Sequence, residues 1–172
     1  MALDAPPVFF FDGLHGGVRE SVVHVVPSLE ALSRAHHSWR NGVLDDNICV
    51  SLRVPSAGDP RLAPLGKAVM TATLSAVPSR LFDGEWTHAR KQRLAAIALK
   101  AAERACPGIL SRLLAVKVIA GPDMERDLGV TAGDLDGGEI APDQVFGFRR
   151  LADAGWADAR TPIRSEEHTS EL

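Results

Sequence analysis

The chain has no large excess of charge of either sign. Lys and Arg total 19 against 22 Asp and Glu, a net charge of −3 over 172 residues. A nucleic-acid surface normally needs a concentrated basic face, so no nucleic-acid partner is expected. Cysteine is scarce: Cys49 and Cys106 stand far apart, and neither belongs to a C-x-x-C pair. That argues against a disulfide scaffold or a structural zinc site and in favour of two apolar, buried thiols. No apolar run approaches the length that spans a bilayer, and no charged segment precedes a secretory core, which together predict a cytoplasmic protein. Also missing are the dinucleotide fingerprint G-x-G-x-x-G and the phosphate loop G-x-x-x-x-G-K-[ST], so this sequence by itself carries neither. Ser75 and Ser79 lack a G-x-S-x-G setting, which leaves a hydrolase nucleophile unsupported.

What is present is the composition of a globular domain, 45% hydrophobic and 24% charged, long enough to bury a real core. Residues 18–26 are rich in β-branched side chains and read as a strand ended by Pro27. Ser28 then caps a helix running to about Trp39, with Leu29, Leu32, Ala35 and Trp39 along its expected inward stripe. Asn41-Gly42 signals a turn. A second strand is predicted over Ile48–Val54, where Ile48, Val50, Leu52 and Val54 alternate with smaller or polar residues. Pro55–Gly66 reads as a loop, and Lys67–Ala76 as a strand antiparallel to the one before it. The clearest helix spans Thr87–Ala105, with Leu94, Ile97, Ala98, Ala101 and Ala105 at spacings of three and four. Its basic residues Arg90, Lys91, Arg93, Lys100 and Arg104 read as a solvated face. Leu113–Ile119 reads as a strand, and Gly121-Pro122 opens a short helix that Gly129 closes. The sum is an α+β fold, a mixed but mostly antiparallel sheet with helices packed on it.

Chemistry is harder to read. The stretch Gly133-Asp134-Leu135-Asp136-Gly137-Gly138-Glu139 is a structured loop without the acidic spacing of a calcium loop, so no metal is expected. Its glycines allow a backbone to approach a ligand closely, or form an ordinary turn. Asp134, Glu139 and Asp143 are candidates for acid–base work, with nothing in the sequence to bring them together. His24, His36, His37 and His88 read as structural.

The ends stand apart. Arg164–Leu172 follows Ile163 abruptly and matches the translation of a common sequencing-library adapter, so it is expected to be an artefactual tail outside the fold. Met1 runs straight into apolar sequence, and the expectation is of a fragment, residues 1–163, whose parent continues on both sides.

From Val26-Pro27-Ser28-Leu29-Glu30 onward, much of the chain resembles the phytoene dehydrogenase-like flavoproteins, FAD-dependent oxidoreductases that include carotenoid desaturases. The resemblance continues through Asp59-Pro60 and Leu62-Ala63-Pro64-Leu65-Gly66-Lys67, then Thr71-Ala72-Thr73 and Ser75-Ala76-Val77-Pro78. It is strongest over Gly121–Gly133, and Gly138-Glu139, Asp143-Gln144, Phe148-Arg149, Gly155-Trp156 and Thr161-Pro162-Ile163 keep the family's order. It implies the substrate-side domain of a two-domain FAD/NAD(P)-binding flavoprotein, returning toward a FAD domain. It implies dehydrogenation of an apolar small molecule, with Gly133, Asp134 and Glu139 near flavin or substrate. Asp143, Gln144 and Arg149 would fix the return crossover by hydrogen bonds or an ion pair. Trp39, Trp86 and Trp156 would pack the core or line an apolar tunnel. A lipid-like substrate would bring a peripheral membrane contact, although the sequence shows no amphipathic anchor. Where the family often has a glycine pair and histidines, this chain has Ala132-Gly133-Asp134-Leu135-Asp136-Gly137-Gly138, which favours the broad branch over a dedicated phytoene desaturase. The alternatives are a fragment of a flavin amine oxidase and a stand-alone apolar ligand-binding module.

Overall fold

Alternating β-branched residues and one alanine-rich helix set the architecture of the computed structural model, which describes residues 1–10 and 22–134. The chain divides after Gly133, and every strand and helix among the described residues belongs to the first unit. Strands β1 (Ala2–Leu3), β2 (Val23–Val25), β3 (Val50–Arg53), β4 (Ala68–Val69), β5 (Thr71–Leu74) and β6 (Leu113–Ala115) form two three-stranded sheets, ordered β4-β1-β6 and β2-β3-β5. Every pairing among them is antiparallel. The helices are α1 (Leu29–Arg40), the single turn α2 (Pro55–Gly58), α3 (His88–Ala105) and α4 (Gly121–Leu128). The fold is thus α+β with antiparallel sheets and packed helices, in two sheets rather than the expected one.

The predicted strand Lys67–Ala76 is where the two sheets part. Ala68 and Val69 pair with β1, whereas Thr71 to Leu74 pair with β3. Met70 sits between them, fully buried, and its N–H donates to Met1 O at 2.9 Å. Periodicity predicts an extended run here and is silent on which partner each half takes. The strand predicted over Leu113–Ile119 pairs only at Leu113–Ala115, because its neighbour β1 is two residues long. The loop Pro55–Gly66 contains α2 and a 3₁₀ turn at Pro60–Leu62, where Asp59 accepts from the Arg61 N–H.

The core lies between sheet β2-β3-β5 and α3. Val23, Val50 and Leu52 point inward from the sheet, and Ala101, Ala102, Ala105 and Cys106 meet them with Leu3, Met70 and Ile109. Small alanines let the helix approach the strands closely, which is why the predicted α3 stripe is buried as expected. Thr87 caps α3, its hydroxyl accepting from the Arg90 N–H. A second cluster, Leu44, Leu94 and Ala120 with Trp86, Val77 and Val118 against it, lies toward the start of α3. Cys106 is buried and Cys49 half-buried, both free thiols.

Helix α1 departs from its expected orientation. Ser28 caps it as predicted, accepting from the Ala31 N–H at 3.0 Å; of the expected stripe Ala35 is buried and Leu32 half-buried, and the other buried residue is Ala31. Leu29 is 81% exposed and Trp39 43% exposed. Close packing selects the two small side chains, one turn apart, and leaves Leu29 and Trp39 at the edge of the contact. Trp39 therefore packs no core; its ring lies 5.4 Å from that of His36. Trp86 is half-buried and donates to Ser79 O at 2.9 Å, and Trp156 lies outside the described residues.

Candidate functional site

The segment Gly121-Pro122-Asp123 is built around one buried carboxylate. Asp123 is 7% exposed, the single buried charged residue among those described. Its Oδ2 accepts from the Ala120 N–H at 3.0 Å, and its own N–H donates to Ala120 O at 2.9 Å, closing the first turn of α4. Pro122 stands in that turn, where its missing N–H costs no helical bond. Lys91 Nζ, from α3, lies 2.6 Å from both carboxylate oxygens, and Arg126 Nη1 lies 3.2 Å from Oδ1. The Lys91 ammonium, and then the Ala120 N–H, hold the Asp123 carboxyl down at about 2 against the opposing effect of burial. An isolated buried carboxylate would rise instead. Asp123 therefore clamps α4 onto α3 as an anion at neutral pH.

The α3 cations read as a solvated face divide: Lys100 and Arg104 are exposed as read, whereas Lys91, Arg93 and Arg90 are held by partners. Lys91 is tied to Asp123. Arg93 donates to Asp46 at 2.7 Å and to Leu44 O at 3.2 Å. Arg90 bonds the carbonyls of Asp83 and Glu85 and pairs with the Asp83 carboxylate. Lys91 fastens α3 to α4, and Arg90 and Arg93 fasten it to neighbouring loops. Sequence reasoning missed Asp123 because an acid in the first turn of a helix ordinarily serves the helix dipole from the surface. The available signal was Gly-Pro-Asp itself, which places a carboxylate at the third helical position, within reach of the residue before the helix.

Beyond α4 the chain folds back on its own start. Gly129 (φ 70°) ends the helix, its N–H donating to Glu125 O at 3.0 Å. A 3₁₀ turn at Thr131–Gly133 comes next, with Ala132 at φ 56° and Gly133 at φ 73°. A Cβ on Gly133 would stand 2.5 Å from Gly121 Cα, and one on Gly121 2.9 Å from Ala132 O and 3.1 Å from Ser79 Cβ. Two glycine backbones are therefore in direct contact, backed by Ser79, which accepts the Trp86 bond. Among the described residues Gly133 makes its close approach to Gly121. Asp134 is the next residue, at the surface. Glu139, Asp143, Gln144 and Arg149 lie outside the described residues.

Catalytic groups do not converge at this corner among the described residues, which also hold no set of three His, Cys, Asp or Glu side chains able to bind a metal. His24 is not isolated. Its Nδ1 lies 2.8 Å from Ser51 Oγ, directly across the β2–β3 ladder. Among the described residues no carboxylate orients that ring, so the pair is a polar cross-strand contact rather than a nucleophile with its base. Gly121 and Gly133 form a close backbone contact within the first unit.

Comparison with known proteins gives one likeness. Over 134 residues the chain is 27% identical to pyridine nucleotide-disulfide oxidoreductase domain-containing protein 2 of Mus musculus, a match that covers 77% of this chain and 23% of that protein. The protein of the same description from Rattus norvegicus is 26% identical over the same length and coverage. No protein-family model matches, and no solved structure matches. The chain spans under a quarter of the length of the curated relatives to which it is similar.

Proposed function

We propose that this chain is the substrate-side portion of an FAD-dependent oxidoreductase of the phytoene dehydrogenase-like kind, inactive alone and acting in its parent by dehydrogenation of an apolar substrate. The observation that supports the reading most is the likeness, over 77% of the chain, to proteins described by a pyridine nucleotide-disulfide oxidoreductase domain. The ordered motifs from Val26 to Ile163 favour the same class. In this reading the flavin is gripped chiefly by a dinucleotide-binding unit whose fingerprint this sequence lacks. The chain itself adds edge contacts at Gly133, Asp134 and Glu139. The bound flavin would supply hydride or electron acceptance. This chain's task is geometric: Lys91 and Asp123 fix α4, Gly121 and Gly133 fix the turn after it, and Asp134 is presented from that turn. Asp143, Gln144 and Arg149 would secure the subsequent crossover.

Two titrations test the proposal. FAD added to the 172-residue chain is expected to show no stoichiometric binding, and tight binding with turnover would overturn the reading of a part inactive alone. The protein encoded by the uninterrupted genomic reading frame is expected to purify with FAD and to be bleached anaerobically by an apolar polyene. Bleaching by primary amines instead would move the assignment to the amine oxidases.

A further inference from the structure

We infer that the outer edge of β6, continued through Ile119, takes up an added β-strand from the part of the parent protein that lies outside this chain. The inference rests on the reading of the chain as a portion of a longer oxidoreductase. Val116, Val118 and Ile119 are β-branched residues that favour extended pairing, yet only Leu113–Ala115 joins a ladder. Among the described residues β6 stands at the end of its sheet, ordered β4-β1-β6. Its neighbour β1 is two residues long, and the backbone of Val116, Lys117, Val118 and Ile119 makes no hydrogen bond among the described residues. The side chains are as open as the backbone. Leu114 is 53% and Ile119 49% exposed, and Leu110 and Val116 are exposed with them. Lys117 is the one charged residue between Leu113 and Ala120.

A row of unpaired N–H and C=O groups among apolar side chains is a template for strand addition, and proteins that leave an edge in water blunt it. The opposite edge of the same sheet shows how. At β4, Ser56 Oγ accepts from the Val69 N–H at 3.0 Å and donates to Val69 O at 3.4 Å, so a side chain closes the ladder there. Among the described residues nothing closes β6 in this way. The run is also held ready at both ends. Before it, Arg112 O accepts from the Asp4 N–H at 2.9 Å, and Arg112 Nη1 donates to Pro6 O at 2.9 Å. After it, Asp123 holds the Ala120 N–H, and Val118 packs against the cluster of Leu44, Leu94 and Ala120. An edge anchored in this manner loses little freedom on pairing, and the main chain supplies the affinity. Open backbone groups select a strand over a lipid surface, which offers them no partner. Length selects the source of that strand. The matched stretch makes up 23% of each relative, which leaves most of a protein of that size to lie against this unit.

The test is amide hydrogen exchange, read by mass spectrometry on peptides spanning residues 113–120. It compares the 172-residue chain with the protein encoded by the uninterrupted genomic reading frame. Amides 116–119 are expected to exchange at nearly the unprotected rate in the chain and at least about 100-fold more slowly in the longer protein. Proline is not tolerated once β6 ceases to be an edge, so Val116→Pro should abolish that protection. Val116→Thr keeps the N–H and should preserve it. In the 172-residue chain both variants should leave the urea midpoint unchanged, because the Val116 backbone bonds nothing there. Equal exchange in the two proteins overturns the proposal, as does protection already present in the chain. Protection in the chain that rises with concentration assigns the edge to a second copy instead. Protection lost equally in both variants shows cover by side-chain packing and not by a strand, which also overturns it. FAD is read in the same sample of the longer protein: its absence counts against the oxidoreductase reading, whereas the amides alone judge the strand.

Discussion

Replacing Asp123 by Asn tests whether the α3–α4 clamp works as an ion pair. The amide keeps an oxygen for the Ala120 N–H and loses the attraction to Lys91 and Arg126. A carboxyl lowered from 3.8 to about 2 on folding corresponds to roughly 2.5 kcal/mol of linked stability as an upper bound. Lys91 is 27% exposed and Arg126 66% exposed, so solvent screening brings the expected loss to about 1–2 kcal/mol. In urea that is a midpoint lowered by about 0.5–1 M. The pH dependence is the sharper readout. A group whose folded value is depressed contributes fully above its unfolded value, and the contribution fades as pH falls through the folded one. The gap between the native chain and Asp123→Asn should therefore be constant above pH ~5, about half as large at pH ~3, and closed below pH ~2. A gap that persists unchanged to acid pH would show that Asp123 acts by shape and hydrogen bonding alone, and would refute the ion-pair account.

Neighbouring substitutions in the turn after α4 should have opposite signs. Gly133→Ala places a methyl 2.5 Å from Gly121 Cα at φ 73°, and a loss of about 2–4 kcal/mol in urea unfolding is expected. Ala132→Gly relieves a left-handed alanine at φ 56° and should stabilise by about 0.5–1 kcal/mol in the same assay. Met70→Ala empties a fully buried position between the two sheets and should cost about 2–4 kcal/mol, with the slope of the transition unchanged if the sheets unfold together.

The sequence is most informative where periodicity and packing agree. Helix α3 runs His88–Ala105 because Leu94, Ala98, Ala101 and Ala105 serve both the helical repeat and the close approach to the sheet. Strand β3 was legible for the same reason, through Val50 and Leu52. Helix α1 was legible in extent and cap but not in orientation. The buried side runs through Ala35, as read, and Ala31, so it is displaced from Leu29 and Trp39, and only the neighbouring surface sets that displacement. Met70 shows a different limit, since an extended run carries no record of two partners. At the candidate corner, the glycines from 133 onward read equally as a ligand approach or a turn, and the contact of Gly133 with Gly121 lies outside any local pattern. Asp123 was hidden because nothing in a helix's first turn reveals a lysine arriving from another helix.

The division of one extended run between two sheets bears on the order of assembly. Strands β2, β3 and β5 lie nearer to one another along the chain than β1 lies to its partners β4 and β6, which it must find across most of the described chain. Loop closure penalises the second set more. The local sheet therefore forms early, and in forming it delivers Ala68 and Val69, joined to it through Met70, to the place where the amino terminus later docks. The long-range sheet is assembled on a template made by the short-range one, and refolding should end, not begin, with the capture of Ala2 and Leu3.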